Sequence, residues 1–113
     1  MESQRLSVGA AWRTLRQFEK KHDSLPVEGQ ATRLLNVLAG YLLASGDMTA
    51  INLSQIARES GLSRITTRNS LDRLSAFGVI KVQVVREGRP VNYAGYSEEF
   101  LSIAAETEEG NHD

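Results

Sequence analysis

The chain contains no cysteine. That excludes a disulfide framework, a thiolate metal site and a cysteine nucleophile, and makes a reducing cytoplasm the default compartment. Only two histidines are present, His22 near the end of an expected helix and His112 in the last residues, and neither suggests a general base held in a pocket. The phosphate-cradling patterns GxxxxGK and GxGxxG are both missing. No apolar run reaches the roughly 18 residues that a membrane span needs; the longest is interrupted by Gly40 and Ser45. The opening MESQRLSVG has an early Glu2 and lacks the apolar segment of a signal peptide. An enzyme and a membrane protein are therefore not expected, nor is any cofactor. No metal site is expected either, because the acids and histidine of the tail (Glu108, Glu109, His112, Asp113) read as a solubilising end rather than a preformed ligand set.

What is present is an ordinary globular composition of 113 residues, 41% hydrophobic and 24% charged. This is one domain with a small core, since a chain of this size hides only about two thirds of its unfolded surface. The formal charge of −1 conceals a strong segregation. Residues 53–96 hold seven Lys/Arg against three Asp/Glu, whereas residues 97–113 hold six acids and no base. A near-neutral chain with a basic middle has the local field that an anion-binding surface needs.

Residues 6–22 predict an amphipathic helix with Val8, Trp12, Leu15 and Phe18 inward and Arg13, Arg16, Glu19 and Lys20 on the other faces. Asp23-Ser24-Leu25-Pro26 should end it. A second helix is expected from about Gln30 to Ser45, apolar on nearly every side (Ala31, Leu34, Leu35, Leu38, Tyr41 and Leu42, widened by Val37 and Leu43) and so packed from two directions. Asn52 and Gln55 have capping-box spacing, Gly61 suits a left-handed turn, and Ser63 is the expected N-cap of a further helix that ends at Gly78. Thr67, Ser70, Leu71, Leu74 and Phe77 would line its inner face. After Gly78 the period changes to two: Ile80, Val82 and Val84 alternate with Lys81 and Gln83, Glu87-Gly88-Arg89-Pro90 turns the chain, and Val91–Tyr96 returns it as a hairpin. Ser97 reads as a helix cap, not a nucleophile, with Glu98 and Glu99 in the first turn and Phe100, Leu101, Ile103 and Ala104 to pack. From about Glu106 the acidic end is expected to fray.

Two short helices joined by a tight turn and followed at once by a hairpin form the order of a winged helix-turn-helix. The segment LSQIARESGLSRITTRNSLDRLSAFGVIKV with VREGRPVNYAGYS resembles the DNA-binding region of winged-helix transcription regulators of the MarR, ArsR and PadR groups. The likeness spans residues 49–97 and rests on Ile56-Ala57, Gly61-Leu62-Ser63, Leu71, Leu74, Gly78, Ile80 and Gly88-Arg89-Pro90. It implies a mainly α fold with a small β-hairpin wing (α+β). The organisation would be N-terminal helices over 6–47 that serve dimerisation, the winged helix-turn-helix over 49–97, a C-terminal helix over 98–106 and an acidic tail over 107–113.

In such a fold the second helix of the motif lies in the major groove. With its inner face assigned, the outward residues are Arg64, Ile65, Arg68, Asn69 and Asp72. Arg68 suits a bidentate contact to guanine, Asn69 one to adenine, and Ile65 a thymine methyl. Ser63, Thr66 and Arg73 are placed for phosphates, Arg86 adds to the basic hairpin, and Arg89 at the wing tip suits a narrow minor groove. A lone arginine on a helix face is ordinarily a solvated charge; Arg68 beside Asn69 points further because both project from the surface that the fold reserves for DNA. Asp72 is expected to hold Arg68 as an i,i+4 pair. Trp12 and Tyr41 read as core or dimer packing rather than a ligand pocket. The expected partners are double-stranded DNA and a second copy of the chain, with no membrane and no effector named by the sequence. The expected role is a homodimeric transcriptional repressor or regulator. A plasmid or viral replication or partition protein, or a winged helix used for protein–protein contact, is the alternative.

Overall fold

In a computed structural model, residues 4–22 and 29–110 of the chain are described. The break expected at Asp23–Pro26 and the tail residues Asn111, His112 and Asp113 lie outside them, as do the side chains of Glu108 and Glu109.

Ser7 accepts a hydrogen bond from the Ala10 amide at 3.0 Å and caps α1 (Val8–Lys21). The helix is where the sequence places it, but its buried stripe is rotated. Val8 and Trp12, expected inward, are 50% and 46% exposed, while Ala10, Ala11, Thr14, Leu15, Phe18 and Glu19 are buried. Thr14 satisfies its buried hydroxyl by donating to the Ala10 carbonyl at 2.7 Å. Helix α2 (Gly29–Leu38) stops well short of the expected Ser45. The amides of Gly40 and Tyr41 reach back only three residues, to Val37 and Leu38, so the last turn tightens and the chain leaves the axis. Ala31, Leu34, Leu35 and Leu38 are all buried.

Asn52 caps α3 (Leu53–Ser60) by accepting from the Gln55 amide at 3.0 Å. The reciprocal half of the capping box is not made, because the Gln55 side chain donates to Glu59 instead, at 3.2 Å. Gly61, with φ 71°, turns the chain, and Ser63 caps α4 (Arg64–Phe77) through the Thr66 amide at 3.0 Å. Thr67, Ser70, Leu71 and Leu74 are buried as expected, Phe77 is half-buried, and Gly78 (φ 88°) ends the helix. Helix α2 lies against α1 on one side and α3 and α4 on the other. Its apolar surface is thus consumed within one chain.

The sheet has three antiparallel strands rather than a bare hairpin. Besides β2 (Ile80–Val85) and β3 (Val91–Tyr96), the short β1 (Thr49–Ile51) pairs with β3, giving the order β1-β3-β2. Register sets Ile80 opposite Tyr96, Val82 opposite Ala94, and Val84 opposite Asn92, so one face runs from the core outward to the wing. On the other face the loop Gly46–Met48 lies so close that a Cβ on Gly95 would stand 2.9 Å from the Gly46 carbonyl oxygen. Lys81 Nζ donates to that same oxygen at 3.2 Å.

Ser97 Oγ accepts from the Phe100 amide at 3.1 Å and opens α5 (Glu98–Gly110), which continues past the expected limit at Glu106. Phe100 stacks on Tyr96 with centroids 5.2 Å apart and tilts against Phe18 at 6.1 Å, joining α5 to the sheet and to α1. His22 and Glu99 pair at 2.6 Å over the same seam. Among the described residues no helix is long and apolar enough to cross a membrane.

Candidate nucleic-acid interface

The first two turns of α4 stand over the outer end of the sheet, beyond the point where Ile80 and Tyr96 fill the core. Between them lies an open groove of about 410 Å³. Arg64, Ile65, Arg68 and Asn69 form its helix side, Val84, Arg86, Pro90 and Asn92 its hairpin side, and Leu53 closes the α3 end. Among the described residues that line it there are three guanidinium groups and no carboxylate. The groove is therefore a concentrated positive field over a partly apolar floor, which is the chemistry of a polyanion site. Ile65 is 75% exposed, the most exposed large hydrophobic side chain among the described residues.

The arginines differ in freedom. Arg68 is half-buried and donates from Nη1 to Asn92 Oδ1 at 3.0 Å, spanning from the helix to the central strand. The expected Asp72 pairing is not made; Arg68 instead finds its acceptor in Asn92, across the groove. Arg64 and Arg86 are exposed at the groove edges. On the adjoining flank of α4 a smaller recess of about 150 Å³ is lined by Thr66, Asn69, Ser70 and Arg73 together with Gln30 and Ala31 at the start of α2.

Of the nine residues expected from sequence, Arg64, Ile65, Arg68, Asn69 and Arg86 come together in the groove, and Thr66 and Arg73 join Asn69 in the recess. Ser63 is taken up in capping: its hydroxyl accepts from the Thr66 amide and donates to Thr66 Oγ1, each at 3.0 Å. Arg89 sits exposed in the turn with Gly88 (φ 76°), outside the groove. Asn92, Val84, Pro90 and Leu53 were not anticipated. Asn92 had a signal: alternation with Ala94 and Tyr96 sets it on the inward face of VNYAGY, where an amide needs a polar partner.

Trp12 and Tyr41 line neither cavity. Trp12 stands exposed on α1 with the Arg16 guanidinium 5.3 Å from its ring centroid. Tyr41 donates its hydroxyl to Glu59 at 2.7 Å, and this bond to a carboxylate, with some desolvation, raises its phenol above the usual value. Among the described residues no cluster of His, Asp or Glu could hold a metal ion.

No protein-family model matches the chain, and no curated protein matches its sequence. Among solved structures it is similar to RV1404 from Mycobacterium tuberculosis, at 18% identity and a TM-score of 0.55, over 90% of this chain and 61% of that one. The chain thus spans about three fifths of that protein's length. Two weaker likenesses are to the homodimeric winged helix-turn-helix DNA-binding domain Mb0332 from Mycobacterium bovis, described as a possible ArsR-family transcriptional regulator (TM-score 0.49, 19% identity, 100% of this chain and 94% of that one), and to the transcriptional regulator PA4135 (TM-score 0.46, 20% identity, 89% and 70%). A capped α3–α4 pair on a tight glycine turn, followed directly by the β2–β3 hairpin and completed by β1, makes this chain a winged helix-turn-helix in fold.

Proposed function

We propose that the chain binds double-stranded DNA sequence-specifically, as a homodimeric transcriptional repressor or regulator of the cytoplasm. The observation that carries this reading is the groove beside α4, where Arg64, Arg68 and Arg86 meet without a carboxylate next to an exposed Ile65 and Asn69. Helix α4 enters the major groove; Arg68 reads a guanine, Asn69 an adenine and Ile65 a thymine methyl. Ser63, Thr66 and Arg73 face one phosphate strand, Arg86 the other, and Arg89 reaches the adjacent minor groove. Residues 49–97 serve as the reading module and the outer helices as the dimer contact. Exposed Val8 and Trp12 on α1 supply its apolar surface. Two copies then read half-sites about one helical turn apart, and regulation follows from occupying the site.

The test is fluorescence anisotropy with duplexes drawn from the region upstream of the coding sequence and with random competitor, at two salt concentrations. Tight, salt-sensitive binding that Arg68→Ala weakens by about 1–3 kcal/mol supports base reading. Binding that falls steeply with salt yet ignores the substitution leaves only phosphate attraction. Absence of binding at low salt overturns the reading and moves the function to protein partners.

A further inference from the structure

We infer that Asn92 is a specificity-determining positioning residue: it orients the Arg68 guanidinium for a guanine while leaving its charge intact. The inference rests on the DNA-binding reading of the same groove. A guanidinium carries five N–H donors and no acceptor, so Asn92 can hold it only through Oδ1, which fixes the amide's orientation. With Nη1 engaged at 3.0 Å, the edge formed by Nε and Nη2 stays free, and that edge carries the parallel pair of donors that guanine O6 and N7 require. The anchor itself is rigid. Asn92 lies in the central strand, paired with Ile51 on one side and Val84 on the other, so its backbone is held by both edges of the sheet. An arginine tethered this way presents one face to the duplex, whereas an untethered one samples many rotamers and contacts phosphates as readily as bases. The choice of amide over carboxylate has its own consequence. An aspartate at this position would hold Arg68 equally well but would set a negative charge among three arginines in a groove whose lining has none.

The two roles separate in two variants. Duplexes are first selected from a random pool by the wild-type protein, and the base pair whose preference vanishes in Arg68→Ala identifies the guanine. Asn92→Ala is expected to weaken the preferred duplex by about tenfold while leaving the duplex altered at that guanine unchanged, so the preference collapses and the salt dependence stays. Asn92→Asp is expected to weaken both duplexes together and keep their ratio. In the double variant Arg68→Ala/Asn92→Ala the second substitution should add nothing. In the free protein, the Arg68 Nε–H resonance should broaden or shift in Asn92→Ala and persist in Asn92→Asp. Should Asn92→Ala fail to fold, the Asn92→Asp ratio alone decides. A preserved preference in Asn92→Ala, or a collapsed one in Asn92→Asp, overturns the inference while leaving DNA binding standing. If the wild type selects no duplex, the DNA-binding reading falls and this inference with it.

Discussion

Replacing Tyr96 by phenylalanine should make the protein more stable, against the general tendency of core substitutions to destabilise. Tyr96 is fully buried, its ring stacks on Phe100 at 5.2 Å, and its hydroxyl has no hydrogen-bond partner among the described residues. Phenylalanine keeps the ring, the stacking and the buried apolar area. It removes an unpaired polar group whose desolvation costs about 1–3 kcal/mol. The void left by one oxygen returns only a few tenths of that, at about 24 cal/mol per Å³. The net expectation at pH 7 is a gain of about 1 kcal/mol, or about 4 °C in midpoint for a domain of this size. Alkaline pH sharpens the test. Burial pushes the Tyr96 phenol from 10.0 up to about 12. A pKa raised in the folded state means that the stability present below pH 10 is lost as pH rises from 10 towards 12, by about 1.4 kcal/mol at pH 11. Phenylalanine cannot ionise, so its advantage should widen by that amount between pH 7 and pH 11. Urea unfolding followed by far-ultraviolet circular dichroism at both pH values measures this, and every other titrating group cancels in the comparison. A phenylalanine variant less stable than the parent at pH 7 would show that the hydroxyl is bonded in solution. An equal gain at the two pH values would show that the phenol ionises as it does in the unfolded chain.

Gly95→Ala sets a methyl 2.9 Å from the Gly46 carbonyl oxygen and 3.2 Å from that of Asp47, and should lower stability by about 1–3 kcal/mol in urea melts; an unchanged midpoint would mean that the 46–48 loop lifts off the sheet freely. Asn52→Ala removes the acceptor that caps α3 and should cost about 1 kcal/mol, whereas Asn52→Gly should cost only a few tenths. Equal losses in the two would place the effect outside the cap. Trp12→Glu on the exposed side of α1 should leave the thermal midpoint of a dilute sample unchanged and halve the mass seen by light scattering. A wild-type protein already monomeric at tens of micromolar concentration would refute the dimer.

Features settled by neighbours within about four residues were legible in the chain. Asn52, Ser63 and Ser97 each cap a helix through an amide three residues on, and Gly61 and Gly78 adopt the left-handed turns that their lack of a side chain permits. The alternation through Ile80, Val82 and Val84 is equally local, and so is the outward placement of Arg64, Ile65 and Asn69 once the buried face of α4 is assigned. These suffice for the helix-turn-helix and its hairpin, and for naming the residues on the helix side of the basic groove.

Contacts made across the chain were not legible. A three-residue strand is too short for a period to show, and Thr49–Ile51 is a strand only because Asn92–Ala94 lies beside it. Periodicity in α1 announces an amphipathic helix but not its rotation, and packing against the rest of the chain buried Ala10 and Ala11 and left Trp12 outward. Local charge spacing favoured Asp72 for Arg68; strand register instead brought Asn92, 24 residues away, directly across the groove. The sequence alone thus determined the elements and the residues available for binding, because caps, turns and periods are short-range physics. Only the tertiary structure decided which faces were buried, what held Arg68, and that three arginines share one groove, because those depend on what the fold sets opposite each side chain.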